Sequence, residues 1–173
     1  FAYDELPPWI KERIPAKSDS ARVLEFANGS SISVGTSLRS GSFQKLLISE
    51  YGKTSVREPE KAREIKSGAL NTVHVGQQIF IESTAEGQGG EFYELCQRAM
   101  QNTGELTPMD PKFFFFPWYR DSGYSIDADV SIDQKQAEYF DSLPVSLTPG
   151  QKAWYIKKSI EQGSMMKREY PST

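Results

Sequence analysis

The sequence has few of the residues that build metal centres and disulfide frameworks. Among its 173 residues there is one cysteine, Cys96, and one histidine, His74. A single cysteine excludes an internal disulfide and fits a reducing compartment, and one histidine with one cysteine leaves too few ligands for a structural zinc site. Neither residue lies in a catalytic motif. We therefore interpret His74 as a surface or packing residue and Cys96 as core filler.

Long apolar runs and a strong positive charge are also absent. The densest apolar run is the four phenylalanines at 113–116, far short of the ~20 residues that a membrane helix needs. A net charge of −3 excludes a basic surface over the whole molecule, so a nucleic-acid contact must be local or made by other segments. The chain opens at Phe1 and closes at Thr173 as if both ends were cuts. We expect it to be part of a longer protein.

A phosphate-binding loop is missing as well. No stretch matches GxxxxGK[ST], and the glycine-rich segments 35–41 and 87–90 are not followed by Lys-Ser or Lys-Thr. Without that loop, a protein lacks both the backbone cradle for nucleotide phosphates and the lysine that contacts them. We therefore expect this chain, taken alone, to bind ATP weakly or not at all.

Two alternating runs, 22–27 and 31–34, flank an Asn-Gly pair and predict a β-hairpin. A two-residue turn would set Leu24 and Phe26 opposite serines. A three-residue loop with Gly29 in a left-handed conformation would set them opposite Val34 and Ile32. We prefer the second arrangement because it gathers the apolar side chains on one face.

The segment after the hairpin predicts an α/β core with parallel strands. Three short apolar runs, at 45–49, 78–82 and 113–116, suit strands buried on both faces. Between them we predict a helix from Pro59 to about Lys66 and an amphipathic helix that begins near Gly90. The alternation of strand and helix favours parallel pairing, and we assign residues 1–120 to this domain.

The remaining residues, 121–173, predict a helical subdomain or linker. Ser131 with Gln134, and Thr148 with Gln151, have the spacing of capping boxes. We place the two helices near 132–143 and 149–162, with Gly163 ending the second.

Polar side chains follow two of the predicted strands. The first strand runs into Ser49 and Glu50, and the second into Glu82, Ser83 and Thr84. If the strands are neighbours, these side chains share the edge of the sheet where ligands of open α/β folds bind. A carboxylate there can orient an attacking water, as nucleotide hydrolases require. The alternative is that the acids only mark where the chain re-enters solvent.

Five segments, in this order, resemble phage terminase large subunits, the ATPases that package viral DNA. The similarity runs from about Leu6 to the last residue. It rests on LEFANGSSISVGTSLRSGSFQKLLISEYGK, EPEKAREIKSGAL, IFIESTAEGQGGEFYE, FFFFPWYRDSGY and MKREYPST. The resemblance implies a partial P-loop-type, RecA-like parallel sheet flanked by helices, here carrying a β-hairpin and a helical C-terminal subdomain.

The resemblance also implies roles for individual residues. Glu50 falls on the catalytic glutamate of the Walker B element, whereas Ser49 stands where the family usually has the aspartate that supports Mg²⁺. Ser83 and Thr84, followed by an alanine, match the coupling motif, which links hydrolysis to movement and senses the phosphates. Arg39 lies where related motors carry an arginine finger, although it could equally be a solvated loop residue.

The implied cofactors and partners follow from the same family. They are ATP with Mg²⁺, double-stranded DNA, the terminase small subunit, the portal protein and further copies of the chain in the motor, with no membrane. The implied location is the cytoplasm of a bacterial host. The resemblance puts the phosphate-binding loop upstream and a nuclease domain downstream. Two alternatives stay open: another P-loop motor such as a helicase core, and a non-enzymatic interaction module in which the acids form a solvated rim.

Overall fold

The computed structural model describes residues 3–36 and 41–172, and the fold is mixed α/β. A three-stranded antiparallel sheet consists of β1 (Ala16–Asp19), β2 (Val23–Phe26) and β3 (Ser31–Ser33), and a parallel pair consists of β4 (Lys45–Ile48) and β5 (Gln78–Ile81). The helices are α1 (Pro8–Arg13), α2 (Tyr51–Arg57), α3 (Pro59–Ser67), α4 (Gly90–Gln101), α5 (Gln134–Asp141), α6 (Pro149–Gln162) and α7 (Met166–Glu169), with 3-10 turns at Leu70–Thr72, Trp118–Arg120 and Gly163–Met165.

The predicted β-hairpin is confirmed, but its predicted register is wrong. Strands β2 and β3 pair antiparallel, and Gly29 has a φ of +84° in the loop between them. The Phe26 amide donates to the Ser30 carbonyl at 2.9 Å, so the loop has three residues. Leu24 therefore lies opposite Ile32 rather than Val34. The loop has the expected three residues, but it comprises 27–29 rather than 28–30, which moves the pairing by two residues.

Strands β4 and β5 form the predicted parallel pair, but only one face of this pair is covered. Leu46 and Ile48 pack with Tyr51, Ala62 and other apolar side chains of the flanking helices. On the opposite face, the partners Leu47 and Phe80 are 66% and 51% exposed. The prediction of strands buried on both faces is therefore wrong for the described part of the chain.

The third predicted strand, at 113–116, is not formed. No helix or strand is assigned to these residues. Phe114 and Phe116 are 63% and 73% exposed, whereas Phe113 and Phe115 are half-buried. An apolar run thus lies across the surface with alternate side chains inward. The order in this region is strand, two helices, strand, helix.

The helix predictions hold where a cap or a glycine stop is present. Helices α3, α4 and α6 begin or end at Pro59, Gly90 and Gly163 as expected, and Thr148 forms the predicted capping box with Gln151. Helix α5 begins later than predicted because Asp133, paired with Gln136, caps it instead of Ser131. Helix α2 was not predicted. Within the two described ranges, no helix combines the length and apolar character needed to cross a membrane.

Stacked aromatic rings form the core of the C-terminal region. The Trp118 ring lies 5.5 Å from Trp154 and 5.0 Å from Tyr155, and Tyr124 stacks on Trp154 at 4.4 Å. The Trp118 indole N–H donates to Tyr139 Oη and to Ser172 Oγ, both at 3.2 Å. Such ring pairs stabilise by roughly 0.5–1.5 kcal/mol beyond their buried area. Helices α5 and α6 and the last residues of the chain are held together by this cluster.

Candidate functional site

The parallel pair brings the two polar strand ends together. Ile48 lies opposite Ile81, and the pairing continues because the Glu82 amide donates to the Ile48 carbonyl at 3.0 Å. The Tyr51 amide then donates to the Glu82 carbonyl at 3.2 Å. The segment 49–51 therefore runs beside the segment 82–84. We call the side chains of Ser49, Glu50, Glu82, Ser83 and Thr84 the strand-end rim.

Glu50 occupies the turn from β4 into α2 in a strained backbone conformation. Its φ and ψ are 56° and 34°, the left-handed region, and it is the only non-glycine with positive φ in residues 3–36 and 41–172. This conformation costs a residue with a Cβ roughly 1–2 kcal/mol. The side chain is exposed and makes no capping hydrogen bond to α2. The fold thus turns Glu50 towards solvent at the rim, where strain in a native backbone is a pointer to function.

Ser49 is paired across the rim with Glu82. Its hydroxyl donates to Glu82 Oε1 in a short hydrogen bond. Our residue-level prediction gave Ser49 a role in Mg²⁺ binding but assigned none to Glu82. The signal for Glu82 was in the register, because the residue after Ile81 must lie beside the residue after Ile48. A carboxylate therefore stands next to Ser49.

The oxygen donors of the rim suit Mg²⁺ only as a partly hydrated ion. Mg²⁺ prefers oxygen ligands and commonly takes one or two carboxylates, with water and phosphate completing its shell. Ser49 and Glu82 supply a hydroxyl and a carboxylate side by side. In the described ranges, no group of three or more His, Cys, Asp or Glu side chains could hold a metal. The rim fits an ion that is mostly bound by other ligands.

Ser83 lies beneath the first turn of α2, and its hydroxyl is unsatisfied. Ser83 Oγ is buried and has no hydrogen-bond partner within residues 3–36 and 41–172. A Cβ placed on Gly52 would lie 2.8 Å from that oxygen and 3.1 Å from both the Thr84 carbonyl oxygen and Phe92 Cδ1. Only a glycine allows α2 to approach the segment 83–84 this closely. An unsatisfied hydroxyl costs roughly 1–3 kcal/mol, which marks Ser83 as a residue that needs explanation.

Helices α2 and α4 pack against each other and support the strand-end rim. A Cβ on Gly90 would lie 2.9 Å from Ser55 Oγ, so the helices touch through two glycines and a serine. The buried Tyr51 hydroxyl donates to Glu91 Oε2 at 2.9 Å. Burial and this carboxylate raise the pKa of Tyr51 well above its usual range, so the phenol stays neutral and acts as a donor.

Glu86, four residues after Glu82, is a second residue that the sequence reasoning left without a role. Arg57 Nε and Nη2 donate to its Oε1 at 2.9 and 2.7 Å, and Arg168 Nη1 lies 3.1 Å from its Oε2. The hydrogen bond from Arg57 lowers the pKa of Glu86, and the charge of Arg168 lowers it further. No sequence pattern could link these residues, because the two arginines are more than 100 positions apart.

The remaining predicted residue, Arg39, lies outside the described residues. Its role as an arginine finger stays a prediction. Two open surface cavities, of about 370 and 280 Å³, lie in the C-terminal region rather than at the rim. Both are bordered by Leu147 and Lys152. We give them less weight than the rim because they gather fewer groups that could do chemistry.

The comparisons with known proteins return no relative for this arrangement. No protein-family model matches the chain, and no curated protein and no solved structure is significantly similar to it.

Proposed function

We propose that this chain is the part of a viral DNA-packaging ATPase that carries the Walker B-like glutamate and the coupling motif. One observation carries the proposal: the parallel register of β4 and β5 puts Glu50 and Ser83 on adjacent segments of one rim. A strand-end carboxylate beside a hydroxyl motif on the neighbouring strand is the arrangement that P-loop motors use. The resemblance of five ordered segments to terminase large subunits points the same way.

In this proposal Glu50 is the group that orients the attacking water. Its side chain is exposed at the rim and is not used to cap α2, so it is free to accept a hydrogen bond from a water molecule. Ser83 and Thr84 form the sensing segment, and the buried Ser83 hydroxyl has no hydrogen-bond partner among the described residues. Mg²⁺, when bound, would neutralise phosphate charge. Ser49 and Glu82 are the residues that would contact its hydration shell.

The substrate is ATP, and its phosphate cradle must come from another segment. The sequence has no GxxxxGK[ST] loop, so the rim supplies only one side of a nucleotide site. We propose that further strands extend β4 and β5 into a RecA-like sheet. The exposed apolar side chains Leu47 and Phe80 support a larger domain around this pair, because helices normally cover both faces of a parallel sheet.

The proposed partners are those of the packaging motor. They comprise double-stranded DNA, the terminase small subunit, the portal protein and neighbouring copies of the same subunit, in the cytoplasm of a bacterial host. The net charge of −3 supports an arrangement in which other segments of the motor make most of the contacts with the DNA phosphate backbone.

The proposal predicts a specific pattern of stimulation. In the full-length protein that contains this chain, empty procapsids should raise ATP turnover, and duplex DNA should not be unwound. Phosphate release with and without procapsids, beside a strand-displacement assay, measures both. A helicase core would give the reverse result: turnover stimulated by single strands, accompanied by unwinding. Turnover that responds to neither would leave only the interaction-module interpretation.

A further inference from the structure

Glu86 joins two parts of the chain that are remote in sequence. Its side chain is 12% exposed, and each of its carboxylate oxygens forms an ion pair with a different arginine. Arg57 reaches Oε1 with two nitrogens, at 2.9 and 2.7 Å, and Arg168 reaches Oε2 at 3.1 Å. Hydrogen bonds between guanidinium and carboxylate groups are among the strongest in proteins and fix orientation as well as distance.

Arg57 connects Glu86 to the strand-end rim. Arg57 is in the last turn of α2, the seven-residue helix whose N-cap is Glu50. Helix α2 rests on the segment 83–84 through Gly52. Glu86 lies two residues beyond that segment. Its ion pair with Arg57 therefore connects the segment 83–86 to the C-terminal end of α2, in addition to the contact at Gly52. Moving either α2 or the segment 83–86 requires the other to move or this pair to break.

Arg168 connects Glu86 to the C-terminal segment. Arg168 belongs to α7, and its guanidinium also donates to Glu169 at 2.6 and 2.9 Å. The residues that follow are tied to the aromatic cluster, since the Trp118 amide donates to the Pro171 carbonyl at 3.1 Å. The hydrogen bond to Glu169, and then the charges of Glu86, Glu169 and Glu50, raise the pKa of Arg168. The positive charge therefore sits among three carboxylates, one of them the candidate catalytic residue.

Removal of the Glu86 charge would reverse the interaction. Arg57 and Arg168 both lie within hydrogen-bond distance of one carboxylate, so without it two guanidinium groups face each other at short range and repel. Arg57 is 55% exposed and can turn to solvent, whereas Arg168 is 29% exposed and stays bound to Glu169. The link between α2 and the C-terminal residues therefore depends on Glu86.

We propose that Glu86 is a positioning residue that makes α2, with Glu50 at its start, and the C-terminal segment 166–172 move as one unit. The linkage stands on the contacts alone. Its role in turnover rests on the proposed function: a displacement at the rim would reach the C-terminal segment through Glu86 and Arg168, and hence whatever that segment leads to in the motor.

Hydrogen exchange tests the linkage without nucleotide. Two amides report on its ends: Glu58, which donates to the Thr54 carbonyl at the end of α2, and Tyr170, which donates to the Met166 carbonyl. We expect Glu86→Gln to speed exchange at both by about threefold, a size in keeping with partly exposed ion pairs. Arg168→Gln should also speed exchange at Glu58, because that arginine is connected to the end of α2 through Glu86 and Arg57.

The matched control is Arg63→Gln, which removes an exposed ion pair with Glu60 on α3 and should change neither amide. The Lys152 amide in α6, which donates to the Thr148 carbonyl, serves as the reference. If it accelerates equally in Glu86→Gln, that variant has unfolded globally and the milder Arg168→Gln decides. Faster exchange at Tyr170 without any change at Glu58 in Arg168→Gln would overturn the proposal.

Turnover separates this inference from the proposed function. In the full-length protein, Arg168→Gln should lower kcat for ATP and leave KM unchanged, because the residue acts on position rather than on nucleotide binding. If Glu50→Gln leaves turnover intact, the proposed function fails. The hydrogen-exchange result then still decides whether Glu86 links α2 to the C-terminal segment. If Glu50→Gln removes turnover and Arg168→Gln leaves kcat unchanged, the function stands and the positioning role of Glu86 in turnover fails.

Discussion

Replacement of Glu50 by glutamine should lower ATP turnover of the full-length protein by roughly 10² to 10⁴-fold, the usual contribution of a positioned general base. Glutamine keeps the size of the side chain but cannot take a proton from water. Because the Glu50 side chain is exposed and makes no capping hydrogen bond to α2, KM for ATP should change little. Phosphate release under saturating ATP and procapsids measures the effect.

The control for this experiment is Glu60→Gln. Glu60 is a glutamate on α3 whose side chain is 86% exposed and forms an ion pair with Arg63. The same chemical change there should leave turnover at the level of the unmodified protein. Equal turnover of Glu50→Gln and Glu60→Gln would contradict the motor assignment and favour the interaction module, in which the rim acids are only solvated.

A second replacement at the same position separates chemistry from folding. Glu50→Gly should lose turnover as Glu50→Gln does, yet be more stable than that variant by about 1 kcal/mol, because glycine adopts a left-handed conformation without steric cost. Urea unfolding of both variants gives the difference. If glycine confers no advantage over glutamine, the backbone at Glu50 is not strained, and this pointer to a functional site is lost.

The sequence predicted the elements whose boundaries are set by local chemistry. Pro59 begins α3, and Thr148 with Gly163 delimits α6, because a fixed φ, a cap or a glycine of positive φ acts within one turn of the chain. The prediction shifted where two local signals competed. Both Ser131 and Asp133 have a glutamine three residues later, and the structure uses the aspartate.

Elements that depend on distant contacts were missed or misassigned. Helix α2, with the sequence YGKTSVR, contains a glycine and two β-branched residues and has low intrinsic helix propensity. It is stabilised by packing, since Gly52 and Ser55 fit against α4 and the segment 83–84. The run at 113–116 has high strand propensity but no assigned strand partner in the described ranges. Propensity does not say where a partner lies.

The residues of the candidate site also fall into two groups: those indicated by the local sequence and those that depend on distant contacts. Glu50, Ser49, Ser83 and Thr84 were predictable because each follows an apolar strand, and parallel strands end at one edge. Glu86 was not, because its importance depends on two arginines brought from the end of α2 and from α7. The motifs thus identify which residues can do chemistry, while the residues that position them emerge only from tertiary contacts.

The close approach of α2 to the segment 83–84 predicts that Gly52→Ala destabilises the fold by about 1–2 kcal/mol. The new methyl group would lie 2.8 Å from Ser83 Oγ and 3.1 Å from the Thr84 carbonyl oxygen and Phe92 Cδ1. Overpacking of this kind costs roughly 1–3 kcal/mol. The higher helix propensity of alanine returns about 0.5–1 kcal/mol, so the steric term dominates. The midpoint of urea unfolding measures the net effect.

Gly104→Ala is the matched control, since a Cβ at that position meets only Asn102 Oδ1 at 3.8 Å. It should be neutral or stabilise by roughly 0.4–1 kcal/mol through the unfolded state. The comparison isolates the contact from the general effect of replacing glycine by alanine. If Gly52→Ala proves as stable as Gly104→Ala, α2 does not rest on the segment that holds Ser83. Glu50 and the hydroxyl motif would then have no shared support, and a nucleotide could not be held between them.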